Sequence, residues 1–358
     1  MAGKVPLEIK MKLSWPQRVA VLYEGLAEPG DLGKIFAQGF RSHNCEVDLL
    51  DRRESWTRRY DLVIGYGPTT WEGTLLNCLE QIGSLAHPER PFFYFWFIEN
   101  IPNPALPLAA VRSAARQRVR FDRVFVRSLG QIERLKKSKL GVILLKGIRL
   151  KVLGELHEFH RKGVLGGLAV TSPSKSDYIR RFGFSPVVVP IGYHPEFMGA
   201  DLGLKRDMQV GFLGQVGTSR RAALIERISA DLSKRGVQLT EHRNIYGEQR
   251  TNMLNRTKVI LGIMRRPYDF NGLRFMFCAA NKALFVSEPV ADRVPFVPGE
   301  HFISVPVDSL ADTIVHYLEQ ENERRQIVER AYLLVTQEYT IHNMVGRILQ
   351  HASGIRRT

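Results

Sequence analysis

The stretch Gln209-Val-Gly-Phe-Leu-Gly-Gln-Val-Gly-Thr-Ser-Arg-Arg221 decides the fold. An apolar strand, Gln209–Leu213, runs into a glycine-rich turn, and a helix from Ser219 to Lys234 follows at once. Gly211, Gly214 and Gly217 let backbone N–H groups approach an anion closely, and the helix start near Thr218 adds partial positive charge. Arg220 and Arg221 place two full charges at the same spot, suited to a diphosphate. The spacing is neither Gly-x-Gly-x-x-Gly nor that of a Walker loop with its lysine.

Outward from this turn the same alternation recurs. Lys258–Ile263 and Leu284–Ser287 read as strands, with a helix near Gly272–Asn281 between them. Upstream, Arg18–Tyr23, Glu46–Leu50, Asp61–Tyr66, Phe92–Ile98, Arg123–Val126, Leu168–Thr171 and Val187–Pro190 are strand candidates separated by helix-length segments, the pattern of a parallel sheet. At Ser172-Pro173 a serine cap precedes a proline at the first helical position. Gly192–Leu204 has turn formers without an apolar period and reads as a linker. The expected architecture is α/β: two Rossmann-like, doubly wound domains facing a cleft, over 1–195 and 196–338. A helix in 339–358 is expected to pack back on the first domain.

The chain has 358 residues, 44% hydrophobic and 24% charged, a length for two globular domains. Cys45, Cys78 and Cys278 are too scattered for a disulfide framework or a zinc set, and point to a reducing compartment. The longest apolar run, Phe92–Ile98, is far short of the ~20 residues of a spanning helix, and no secretory signal is read at the start. The expected location is cytoplasmic.

Lys and Arg number 51 against 36 Asp and Glu, giving +15, so the expected partners are anionic. Between Arg112 and Lys162 fifteen basic residues face four acids. Within this region, over 141–163, Leu145, Ile148, Val152, Leu156 and Phe159 recur every three or four residues. If helical and exposed, that stripe would enter an anionic membrane surface with Lys146, Arg149 and Lys151 at the headgroups. Nucleic acid is the less favoured partner, because no aromatics interleave with the basic residues as a stacking platform.

A second polar cluster is Asp269, Asn271, Gly272 and Arg274 at the entry to an apolar helix, where a sugar or phosphate could be held. In open α/β sheets ligands sit outside the carboxyl ends of the strands. There the first domain offers Glu24, Asp31, His43, Tyr66 and Glu99, and Glu99 is the best candidate for a general base. His194, at the domain junction, is a second.

The order of these pieces resembles the group 1 (family 4-like) glycosyltransferases of the GT-B fold, including their spore-maturation glycosyltransferase-like branch. Ser42-His-Asn-Cys-Glu-Val47 is similar to the family's Gly-His-x-Val element. Thr171-Ser172 with Val189-Pro-Ile-Gly-Tyr-His-Pro-Glu-Phe197 is similar to its strand–Ser–helix and Ile-Pro-Asn-Gly-Val-Asp-x-x-x-Phe. Val210–Gly214, Pro295–His301 and Tyr339-Thr340 resemble its phosphate loop, late loop and final helix start.

The resemblance implies metal-independent transfer of a sugar from a nucleoside-diphosphate sugar, with no cofactor. Gly214, Gly217, Arg220, Arg221, Tyr246, Asn271, Gly272 and Arg274 would hold the donor, and Asp269, Glu99 and His194 would serve catalysis. It also implies two acids eight positions apart, the second on the ribose. Asp269 stands at the first position, but Phe277 stands at the second. Lys282 replaces the expected glycine, and Ile191 and His194 replace the expected Asn and Asp. A scaffold that binds an anionic partner without catalysis, and a transferase acting on DNA, are the alternatives.

Overall fold

The computed structural model describes residues 15–23, 32–51, 58–67, 74–125, 148–266 and 272–357. Six parallel strands form the first sheet in the order β2-β1-β3-β4-β5-β6. They are β1 (Arg18–Tyr23), β2 (Glu46–Asp51), β3 (Leu62–Tyr66), β4 (Phe92–Phe97), β5 (Leu165–Val170) and β6 (Val187–Val188). The second sheet, also parallel, has the order β11-β10-β9-β7-β8. Its strands are β7 (Met208–Leu213), β8 (Leu239–His242), β9 (Thr257–Gly262), β10 (Leu284–Ser287) and β11 (Ile303–Ser304). The architecture is the expected pair of parallel-sheet α/β domains.

Helices cover both faces of each sheet, as buried parallel strands demand. Around the first sheet lie α1 (Leu32–Arg41), α2 (Thr74–Ser84), α3 (Leu108–Phe125), α4 (Ile148–Arg161) and α5 (Pro173–Arg180). The short α6 (Pro195–Met198) lies on the way to the second. There follow α7 (Ser219–Ser233), α8 (Gly247–Arg256), α9 (Leu273–Ala280), α10 (Leu310–Glu319) and α11 (Glu321–Leu333). A π-helical turn, Leu334–Glu338, then leads to α12 (Ile341–Arg357).

In β4, Phe93, Tyr94, Phe95, Trp96 and Phe97 are fully buried, alternating between the two faces of the sheet. Each such side chain contributes about 1.5–3 kcal/mol of burial free energy, which makes this strand the axis of the first domain. On one face Tyr94 and Trp96 join an apolar cluster that continues through Met344, Val345 and Ile348 of α12 to Phe275 and Phe285 of the second domain. The chain crosses between domains twice, and the two crossings pair: Tyr193 N donates to Tyr339 O (2.6 Å) and Ile341 N to Tyr193 O (2.8 Å). α12 then packs on α1 and β5.

Two expectations for the basic region are corrected. Arg123 to Phe125 belong to the end of α3 rather than to a strand, and Val126 lies outside the described residues. Val111, Ala115 and Val119, buried every fourth residue, carry a helical period that outweighs the short run's strand propensity. The apolar stripe of α4 faces inward: Val152, Leu156 and Phe159 are 0% exposed, packed with Phe93 and Phe95 of the sheet. It cannot enter a bilayer while the domain is folded. Gly154 sits where α4 crosses α3, and a Cβ there would stand 2.4 Å from Ala115 O. Leu145, Lys146 and Gly147 lie outside the described residues.

Candidate active site

The turn after β7 is built around two arginines. Gly214 takes φ 125°, a conformation that L side chains rarely adopt, and its N–H donates to His242 O (3.0 Å). A Cβ at this position would lie 3.2 Å from Arg274 Nη2, so glycine also leaves room for that guanidinium. Thr218 caps α7, its Oγ1 accepting from Arg221 N (3.2 Å). Arg221 is 3% exposed; its Nη1 donates to Gln215 O (2.7 Å). The Arg221 and Arg274 guanidiniums lie 5.8 and 5.4 Å from the ring centroid of Phe212, stacking that replaces part of their lost hydration. Arg274 Nη1 also donates to Ile263 O (3.2 Å). Burial, with nearby Arg265 acting in the same direction and Cys278 against it, brings the Arg274 pKa down to about 10, which still leaves it charged at neutral pH.

These groups face a cavity of about 370 Å³ shared by the two domains. The second domain lines it with Gly214, Arg221, Tyr246, Arg250, Gly272, Arg274 and Phe277, among others, and the first domain with Glu99 and Asn100. Glu99 follows β4 and is seated against Gly67, where a Cβ would come within 2.7 Å of Glu99 Cγ. Cations gathered at a glycine turn and a carboxylate on the facing wall suit an anionic ligand whose reacting end points toward the first domain. A larger depression, about 760 Å³, opens where β1, β3 and β4 begin, but its Arg18 and Arg59 are already paired with Glu46 and Glu89.

Of the sequence candidates, Glu99, Gly214, Arg221, Tyr246, Gly272 and Arg274 therefore share one cavity. Arg220 does not line it. Glu288, 3% exposed, takes Arg220 through both carboxylate oxygens and also accepts from Met264 N (2.6 Å), because a buried carboxylate requires such partners. Gly217 lies beside Arg265 outside the cavity lining. His194 caps α6, its Nδ1 accepting from Glu196 N (3.3 Å), and burial lowers its pKa. Asp269 and Asn271, like Glu24 and Asp31, fall outside the described residues.

Sequence reasoning missed Arg250. This buried residue of α8 lies 3.9 Å from the Phe277 ring centroid and donates to Phe197 O. The only signal for it was Phe277 itself, an aromatic face at a position where the resemblance implies an acid. Tyr246, 43% exposed, stands at the start of α8 as an open aromatic face. Among the described residues no group of three or more His, Cys, Asp or Glu side chains could hold a metal ion, and no helix is long and apolar enough to cross a membrane.

The profile of a family described as glycosyl transferase-like matches residues 217–350, well under half of the chain. No curated protein matches it. Among solved structures, HepE from Anabaena in complex with UDP and glucose superimposes with a TM-score of 0.57 at 9% identity, over 95% of this chain and 100% of its own. Sucrose-phosphate synthase from Thermosynechococcus elongatus gives 0.55 at 12% identity, over 95% and 100%. A variant of S. aureus TarM, with UDP among its ligands, gives 0.51 at 9% identity, over 81% of this chain and 55% of its own; the chain spans about half the length of TarM. The fold that these similarities define is GT-B, two parallel-sheet α/β domains facing each other across a cleft.

Proposed function

We propose that the protein transfers a sugar from a nucleoside-diphosphate sugar to an acceptor held by the first domain. The observation that carries this reading is the shared cavity, with Arg221 and Arg274 at the glycine turn on one wall and Glu99 on the other. Arg274, Arg221 and Arg265 would balance the charge that grows on a departing diphosphate. Tyr246 would cover the nucleotide, and Glu99 would take the acceptor's proton. Asp269 and Asn271 remain the candidates for the sugar hydroxyls. UDP bound to HepE and to TarM supports the choice of donor, and the motifs described above favour the group 1, spore-maturation-like branch. The arginines left outward on α3 favour an anionic acceptor.

A thermal-shift series with UDP-, GDP-, ADP- and dTDP-sugars tests the donor. A donor present at ~100 times its Kd should add about 2.7 kcal/mol to native stability. Arg274→Ala, which removes a charge from the turn, should weaken that donor at least about tenfold, the effect of losing one charged hydrogen bond. Equal affinity in a folded Arg274→Ala protein would place the donor elsewhere. The Arg250–Phe277 stack favours a second reading, a scaffold that binds nucleotide sugar without turnover. Donor binding with no hydrolysis and no transfer to any acceptor would select it.

A further inference from the structure

One polar contact ties the second domain to the first beside the cavity. α5 opens with Ser172 in extended backbone and Pro173 at its first position, the arrangement in which serine caps its own helix. Ser172 makes no capping bond. The acceptor comes instead from Asp292, on the loop after β10: Oδ1 takes Ser174 N at 2.7 Å and Oδ2 takes Ser174 Oγ at 2.7 Å. Asp292 is 5% exposed, so this charged bond at a helix N-terminus is shielded from salt.

Both ends of the link lead to the cavity. Lys175, next after Ser174 and also buried, donates its Nζ to Ile98 O (3.2 Å) and Thr171 Oγ1 (2.7 Å), holding the carbonyl that precedes Glu99. Four residues before Asp292, Glu288 holds Met264 N, and Met264 lines the opposite wall. We infer that Asp292 is a positioning residue: by capping α5 across the domain boundary it sets Glu99 at a fixed separation from the arginine wall. A carboxylate and a helix terminus both hydrate readily once separated, so the link is one that opening of the cleft can break and closing can remake.

The test uses the full chain with Asp292→Ala, Asp292→Asn and Ser174→Ala, each checked for an intact fold by circular dichroism. Small-angle scattering of the ligand-free proteins should show a larger radius of gyration for Asp292→Ala. Asp292→Asn should return most of the way, since its amide oxygen still accepts Ser174 N–H. Ser174→Ala should fall between, keeping the backbone donor alone. The kinetic arm rests on the transferase reading: for Asp292→Ala kcat should fall about tenfold while KM for the nucleotide sugar changes less than about threefold, because the donor wall is intact. Unchanged scattering in a folded Asp292→Ala protein, or a raised KM at constant kcat, overturns the inference. If Asp292→Ala does not fold, Ser174→Ala must expand the molecule, and parental dimensions for it overturn the inference equally. A parent protein without turnover would strike the transferase reading and leave the scattering result to decide this one.

Discussion

On α3 of the first domain Arg116 and Arg120 stand in solvent, and with the half-buried Arg112 they recur every four residues. Beside the glycine turn of the second domain Arg221 and Arg250 are 3% and 6% exposed. Like charges at that helical spacing repel mildly, and water absorbs most of the cost. A guanidinium taken out of water costs several kcal/mol unless hydrogen bonds and an aromatic face replace what it loses. The second domain supplies both, with carbonyls at Gln215 and Phe197 and rings at Phe212 and Phe277. The net charge of +15 thus combines two different properties. Outward arginines create a long-range field, whereas inward ones are held in place and make a site.

Arg220 puts the sharpest strain on this contrast. Arg220→Ala strands the Glu288 carboxylate in the interior with Met264 N as its remaining partner among the described residues, and should cost about 2 kcal/mol after allowing for Arg220's partial exposure. Denaturant unfolding measures it, and adding Glu288→Gln, which still accepts from Met264 N, should recover at least half. A single variant as stable as the parent would erase the distinction between inward and outward arginines.

Histidines should give a smaller, pH-dependent effect. His157, His242, His301 and His351 are held below the ordinary histidine value of 6.5 chiefly by lost hydration. Below pH 6.5 the unfolded chain therefore binds more protons than the folded one. Their contribution is fully present above that pH and is lost as pH falls through the folded values. His351 Nδ1 lies 2.8 Å from Tyr94 Oη, and His351→Gln keeps a hydrogen-bonding group there while removing the titration. Unfolding curves between pH 7.5 and 5 (~0.5-unit steps) should show a shallower acid slope for this variant; an unchanged slope would exclude His351 from the effect.

Smallest of all should be Arg116→Ala combined with Arg120→Ala, within about 0.5 kcal/mol of the parent by thermal unfolding. A larger loss would show that the outward arginines are structural too.

Strands buried on both faces are legible as short apolar runs, which is why β1 and β10 match their readings end to end. Edge strand β8, Leu-Thr-Glu-His, and polar helix α8 show no such run and escape a reading by pattern. In the site, the glycine turn with Arg221 and the polar helix entry with Arg274 are visible because their residue types are themselves unusual. Arg250, Glu288 and Asp292 are not, since ordinary charged letters acquire meaning only through partners 27 or more residues away: Phe277 for Arg250, Arg220 for Glu288 and Ser174 for Asp292. The stripe in α4 shows the same limit. Its period marks an apolar face, and only the packing of α3 and the sheet says which way it looks.

The pairing of Tyr193 with Tyr339 and Ile341 makes the second sheet an insertion within the first domain's own chain. During synthesis β7 to β11 can therefore complete their packing while β1 to β6 still lack α12, whose Ile348 and Leu349 join the cluster containing Trp96. For the time needed to translate more than 150 codons, an apolar flank of the earlier-made half stays bare on the ribosome, and that interval is where aggregation or chaperone capture would begin.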